Sequence, residues 1–230
     1  MGSIEHGLLR FQRGVEHLLD NIVTGIKGLW FFCWGNLFAV FTYDRKYLKG
    51  KYFAGKLGGI KAIGWRWVCT DCMSRLFLGI NKGIKFPVSP RIIVSNSNNI
   101  SFHVDDLNNF QGLGNYFQSF GGKIMIGKGT YIGPNVGLIT TNHDIYDPDL
   151  HVASKDIVLG EKCWIGMNSI VLPGVVLGPH TTVAAGSVVT KSFSEGYCVI
   201  AGNPAKIITH LKEGKQDSKK RSRMKIVRRI

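Results

Sequence analysis

Ile126-Gly-Lys-Gly-Thr-Tyr, Ile132-Gly-Pro-Asn-Val-Gly and Leu138-Ile-Thr-Thr-Asn-His143 place an aliphatic residue at every sixth position. After Leu138 the beat resumes 21 residues on, at Leu159, Ile165, Val171, Leu177, Val183 and Val189, with Gly directly after at 127, 133, 160, 166 and 178. A period of six belongs to neither a helix nor a half-buried strand. It marks a solenoid whose short repeats cannot bury an apolar face alone and must stack. Three six-residue sides make one triangular turn, with the aliphatic residue pointing inward from each. The position four later is confined too, and holds Thr130, Val136, Asn142, Cys163, Ser169, Val175, Thr181 and Ser187, none of them large. The Gly that follows five of these aliphatic residues suits a tight corner with unusual φ/ψ. Nine aliphatic positions in two registers make a β-sandwich with frequent turns a poor alternative.

The run Cys163-Trp-Ile-Gly-Met-Asn-Ser-Ile-Val-Leu-Pro-Gly-Val, then Ala184-Ala-Gly-Ser-Val-Val-Thr-Lys191, then Val199-Ile-Ala-Gly-Asn-Pro-Ala-Lys206, resembles the left-handed β-helix hexapeptide-repeat acyltransferases. Within them it is similar to sugar O-acetyltransferases of the maltose and galactoside type and to their relatives in capsule and lipopolysaccharide assembly. The resemblance covers about residues 120 to 210. It implies a mainly β fold, a left-handed parallel β-helix, assembled as a homotrimer with acetyl-CoA between neighbouring coils.

The beat breaks at Thr140-Thr-Asn-His143-Asp144, and residues 145 to 156 (IYDPDLHVASKD) must leave the coil before Ile157 or Leu159 re-enters it. A polar, Pro-containing excursion from a rigid scaffold is a place for function. A neutral imidazole there can take the proton of an acceptor hydroxyl as its oxygen attacks a thioester. The resemblance puts the family's catalytic histidine at His143. Pro commonly follows this His in the maltose-type enzymes, whereas Asp144 follows it here; Asp144, a backbone carbonyl or another acid is expected to orient the ring.

By the same resemblance, Asn115 in Gly114-Asn-Tyr-Phe matches an acceptor-side Asn that helps the oxyanion. Trp164 matches an aromatic beside the pantetheine arm, and Ala185 and Gly186 match the place where CoA lies along the backbone. Thr190 and Lys191 match residues near the nucleotide end, and Lys206 stands where the family often has Arg. Lys meets a phosphate as a point charge, without the guanidinium fork. His103, His151 and His180 are weaker candidates. A carbonic-anhydrase-like zinc site is the rival enzyme reading, but the His spacing is wrong for it, and no metal is expected.

Charge divides the 230-residue chain into three parts. Residues 1–90 carry 13 Lys/Arg against 5 Asp/Glu, residues 91–211 carry 7 against 8, and residues 212–230 carry 9 against 2, so the net +14 lies in the flanks. No zinc-finger spacing or RNA-binding aromatic motif accompanies the basic flanks, so no nucleic-acid partner is expected. An anionic membrane surface suits them as well.

Ile22 to Phe41 is almost wholly apolar, with Lys27 its only charge, and Leu8, Phe11, Val15, Leu18, Leu19 and Ile22 before it have amphipathic-helix spacing. Three Gly and an Asn lower helix propensity across the apolar run. An interfacial helix or hairpin ranks first, a core or trimer-packing helix second, and a transmembrane span third. A cleavable signal peptide does not fit, because the apolar run begins after about twenty residues that include acids.

Residues 42–90 give no period and read as an irregular cap on the coil's open end. Five cysteines, Cys33, Cys69, Cys72, Cys163 and Cys198, read as buried thiols of a reducing cytoplasm. Arg91-Ile-Ile-Val and Ile100-Ser-Phe-His read as degraded first turns, and residues 106–122 as another irregular one.

The expected organisation is an N-terminal apolar and basic region over 1–90, a coil over 91–211 with a loop over 144–156, and a basic tail over 212–230. The expected function is acetyl transfer from acetyl-CoA to a sugar or cell-envelope glycan hydroxyl, in the cytoplasm or at the inner face of the membrane. The alternatives are N-acetylation of an amino sugar or sugar nucleotide, and a non-enzymatic trimeric scaffold.

Overall fold

The computed structural model describes residues 2–54 and 59–211; the expected basic tail over 212–230 lies outside them. Three α-helices, α1 (Gly2–Thr42), α2 (Lys51–Ala54) and α3 (Ile63–Leu78), precede fourteen short strands. Face 1 of the coil holds β1 (Ile93–Val94), β3 (Tyr116–Gln118), β6 (Gly137–Ile139), β9 (Ile170–Val171) and β12 (Val188–Val189). Face 2 holds β2 (Ile100–Ser101), β4 (Ile124–Ile126), β7 (Ile157–Leu159) and β10 (Val176–Leu177). Face 3 holds β5 (Tyr131–Ile132), β8 (Trp164–Ile165), β11 (Thr182–Val183), β13 (Cys198–Gly202) and β14 (Ala205–His210). The chain visits the faces in the order 1, 2, 3, and all pairings are parallel except the closing β13–β14 hairpin. The result is a three-sided parallel coil.

Its core is the six-residue beat. Leu138, Leu159, Ile165, Val171, Leu177, Val183 and Val189 are buried, as are Thr130, Val136, Cys163, Ser169, Val175, Thr181 and Ser187 four places later. The small polar members are satisfied at the corners: Thr130 Oγ1 donates to the Gly160 carbonyl, and Ser187 Oγ to the Ala184 carbonyl. Asn142 departs from the expectation and is exposed, because the chain has already left the coil there.

The glycines have a different reason from the expected one. Gly127, Gly133, Gly160, Gly166 and Gly178 do not adopt positive φ; that conformation falls two residues later, at Gly129, Asn135, Lys162, Asn168 and His180. The glycines permit stacking instead. A Cβ on Gly160 would lie 2.7 Å from the Gly178 carbonyl carbon, and one on Gly178 would lie 2.2 Å from the Ser194 oxygen.

In the first full turn the face 3 position is taken by a 3-10 segment, Val104–Phe110, in place of a strand. Asn109 stands in for the missing ladder there. Its Nδ2 donates to the Thr130 carbonyl, and its Oδ1 accepts from the Ile132 amide.

The region expected to be an irregular cap contains α3, which packs along α1. Its helical period was hidden because its inner face carries charge: Asp71 and Arg75 are buried beside Val68 and Cys72. Asp71 accepts from Tyr43 Oη (2.7 Å), the Val88 amide (2.9 Å) and Arg75 Nη2 (2.7 Å). Arg75 also donates to the Ile84 and Phe86 carbonyls. Burial, and next the Asp71 charge, push the Tyr43 phenol far above its usual range, so it remains a donor. This network ties the end of α1, the middle of α3 and the entry to the coil at one point.

Three Gly do not interrupt α1, because two of them line its contact with the rest of the chain. A Cβ on Gly35 would lie 3.0 Å from the Trp65 ring, and one on Gly28 would lie 3.3 Å from the Lys61 side chain. Cys33 is exposed, whereas Cys69, Cys72, Cys163 and Cys198 are buried and free, and burial pushes the Cys69 thiol up to about 11.

Candidate functional site

The excursion leaves the coil at the edge between faces 1 and 2, and it is ordered by its own backbone. The Asp144 amide donates to the Leu150 carbonyl and the Val152 amide to the Asn142 carbonyl, so His143 and His151 face each other across an antiparallel bridge. The loop is thus a small hairpin based at Asn142 and Val152, two residues wider at its start than the expected 144–156. Thr141 and Ser154 hydroxyls close its base by a hydrogen bond. Gln118, on the preceding turn, accepts the Thr141 amide on its side chain (2.9 Å) and the Thr140 hydroxyl on its carbonyl (2.7 Å). Gly121 and Gly122 let the returning strand lie close: a Cβ on either would run into Ser154 or the Lys155 carbonyl.

His143 is exposed, and its Nδ1 lies 2.6 Å from the Pro148 carbonyl oxygen. A carbonyl can only accept, so Nδ1 carries the hydrogen and Nε2 of the neutral ring keeps the lone pair. The His151 ring packs against it, with centroids 4.3 Å apart, and Phe120 meets His151 edge-on at 5.9 Å. Asp144 does not hold the imidazole. Its Oδ1 accepts the amides of Tyr146 (2.8 Å) and Asp147 (3.2 Å), shaping the turn that carries Pro148. Of the expected orienting groups, the structure supplies the backbone carbonyl.

Asn115 is also placed differently from the expectation. It is only 2% exposed, and its Oδ1 accepts the Val136 amide at 3.0 Å inside the coil. It lies before β3, at the edge between faces 3 and 1, whereas His143 lies at the far edge of face 1. Two positions earlier than the inward Phe117, its side chain shares the interior with Phe117 and is used for the ladder.

The remaining candidates fall in three places. Trp164 is exposed on face 3, beside Tyr131 and Thr182 in the ladder, and Lys206 is exposed on β14 of the same sheet. Ala185 and Gly186 form the bare corner between faces 3 and 1, where a Cβ on Gly186 would meet nothing within 4 Å. Thr190 and Lys191 follow β12 at the edge of His143, two turns on and so about 10 Å along the coil at the usual strand spacing. Lys191 Nζ lies 5.8 Å from the Phe193 ring centre and helps line a cavity of about 340 Å³ with His210 and Glu195. In a triangular prism, the edge bearing His143 is opposite face 3. One chain therefore does not bring Trp164 and Lys206 to His143.

Part of the coil is similar to known proteins. Residues 156–191 match the model of the bacterial transferase hexapeptide family (six repeats). A Saccharomyces cerevisiae protein provisionally named an acetyltransferase is 36% identical over 97 residues, 40% of this chain and 48% of its own length. The galactoside O-acetyltransferase of Escherichia coli is 32% identical over 93 residues, 39% of this chain and 45% of its own. A hexapeptide-repeat acetyltransferase of Vibrio cholerae, solved with acetyl coenzyme A, is 30% identical with a TM-score of 0.41, covering 44% of this chain and 56% of that one. The chain spans about half the length of the curated relatives it matches. The coil carries the hexapeptide repeat of these transferases, and the relatives that share it are named acetyltransferases.

Pro148 was not singled out in the sequence and His151 only as a weaker candidate; Phe120 and Gln118 were not singled out either. The signal for the first two was present: Asp147-Pro-Asp149 is turn chemistry midway between two histidines eight residues apart, which is a hairpin. Gln118 and Phe120 had no such signal, since only the coil's stacking brings them to the loop. His103 and His180 are structural. His103 Nδ1 accepts the Asp105 amide at 3.2 Å, and His180 is a positive-φ corner residue stacked on Tyr197.

Proposed function

We propose that the chain is an O-acetyltransferase that moves an acetyl group from acetyl-CoA to a hydroxyl of a sugar or cell-envelope glycan. The carrying observation is the His143 imidazole, fixed by Pro148 so that a bare Nε2 projects from an ordered loop at a coil edge. Nε2 takes the acceptor hydroxyl proton as that oxygen bonds to the acetyl carbonyl carbon. The carbon–sulfur bond then breaks, and the departing thiolate takes the proton back from the imidazolium to leave as the thiol. No acyl-enzyme is needed, and the protein contributes chiefly positioning.

Acetyl-CoA supplies the activated thioester. The residues that would hold it fit a long, flat ligand: exposed Trp164 offers a packing surface, Ala185 and Gly186 leave backbone accessible, and Lys206 offers a cation for phosphate. Because these lie on the side opposite His143, we infer a trimer in which face 3 of one copy meets the His143 edge of the next. The same reading takes the coil as left-handed and puts the protein in the cytoplasm, peripheral at the inner face of a membrane.

The test is thiol release from acetyl-CoA against hydroxyl sugars, amino sugars, sugar nucleotides and envelope glycans. Turnover on a hydroxyl acceptor is the expected result. Turnover confined to amino acceptors would replace O-transfer with N-transfer, and failure to bind acetyl-CoA would leave a trimeric scaffold.

A further inference from the structure

We propose that α1 and the end of α3 together form a docking surface for an anionic lipid bilayer, with α1 lying in the plane of the interface and not crossing it. This rests on the membrane part of the preceding reading and gives it a site. Between Arg13 and Thr42, α1 is apolar enough in composition to cross a membrane, but it is two-sided. Leu18, Ile22, Ile26, Leu29, Leu37 and Phe41 are all exposed, and at about 100° per residue they fall within roughly 140° of one helix face. The other face carries Arg13, His17, Asp20, Thr24 and Lys27 in its first half; in its second half it packs on Ile60 and Lys61 through Gly28 and on Trp65 of α3 through Gly35, and Ala39 is buried.

A span is disfavoured by this division. Every 20-residue window between Arg13 and Thr42 contains Lys27. The second half is held to Trp65 and to the Asp71 network, so it cannot enter the bilayer without carrying the folded body with it. An interfacial helix needs what is observed: one apolar face in the acyl boundary and one polar or protein-facing side.

The apolar surface continues beyond α1. Trp30, Trp34 and Phe38 form a row of ring contacts along it, and Phe38 and Thr42 share a groove with Met73 and Leu76 of α3. Leu76 and Phe77, each 71% exposed, extend the patch. No single-element reading covers both helices, whereas one flat surface does.

Charge selects the occupant. Among the described residues from 13 to 90, ten Lys and Arg are exposed (13, 27, 45, 46, 49, 51, 61, 66, 82 and 85), against Glu16, Asp20 and Asp44. A second copy docked on this region would bring like charges together, while anionic headgroups complement them, each cation near the surface adding attraction that salt screens.

The experiment is co-sedimentation of the full chain with vesicles of phosphatidylcholine alone or mixed with phosphatidylglycerol, with Leu76→Gln/Phe77→Gln and Ile22→Gln/Ile26→Gln variants alongside. The expected result is binding at least about tenfold stronger on the anionic vesicles, weakened by salt and released by alkaline carbonate. Each double variant lowers the bound fraction, with solution mass, circular dichroism and turnover on a soluble acceptor unchanged. Retention through carbonate would establish a span and overturn the proposal. A fall in solution mass without change in vesicle binding would assign the patch to a second copy. If no acceptor is turned over but anionic vesicles are bound, the transferase reading fails and the docking surface stands.

Discussion

His143 does not depend on an acid for its tautomer. The Pro148 carbonyl fixes Nδ1–H, and Asp144 acts one step removed, by folding the turn that presents Pro148. The His151 ring packs on that of His143 at 4.3 Å, so in the proposed reaction His151 would position the His143 imidazole. His151→Ala is therefore expected to lower kcat about tenfold, roughly 1.4 kcal/mol of lost positioning, with KM for acetyl-CoA unchanged. His151→Phe should keep most of the rate, since it preserves the stacked ring. Steady-state kinetics on both variants check this, and equal losses in the two would instead give His151 a proton-carrying role. At this scale the break in the six-residue beat was legible as an excursion that carries His143. The sequence left the orienting group open among Asp144, a backbone carbonyl and another acid, because which carbonyl meets the ring leaves no trace in residue type.

Among the elements, the repeat made the coil legible because burial at every sixth position leaves few alternatives. The purpose of its glycines was not legible, since close stacking of successive corners and positive φ both select Gly. The structure separates them: the positive φ falls on Lys162 and Asn168 as readily as on Gly129. Gly160→Ala should therefore destabilise the chain by about 1–3 kcal/mol, because its Cβ must displace the backbone of the next corner. Gly186→Ala, with open space around its Cβ, should cost only the strain of its conformation. Urea unfolding midpoints compare the two, and a cost for Gly160→Ala no greater than that for Gly186→Ala would contradict the stacking explanation. The helix α3 was missed for the opposite reason: its buried Asp71 and Arg75 break the apolar period that reveals helices.

For the whole molecule, topology decides what one chain can do. His143 stands at the prism edge opposite the face that bears Trp164 and Lys206, so the proposed site requires two copies. Mixing His143→Ala with Trp164→Ala protein, each inactive alone, and exchanging subunits should restore part of the turnover, because some interfaces then combine an intact His143 with an intact Trp164. No recovery would place the site within one copy. Periodicity could not give this, because it identifies inward and outward positions but not which outward face meets a neighbour; the family resemblance alone implied acetyl-CoA between neighbouring coils.

The measurement that bears most directly on the account is turnover of acetyl-CoA with the best hydroxyl acceptor for the wild type and for His143→Ala, with acetyl-CoA binding measured on the same samples. The account predicts a loss of about 10² or more in kcat, the scale of a lost general base, with acetyl-CoA affinity retained. Undiminished turnover in the variant would contradict it.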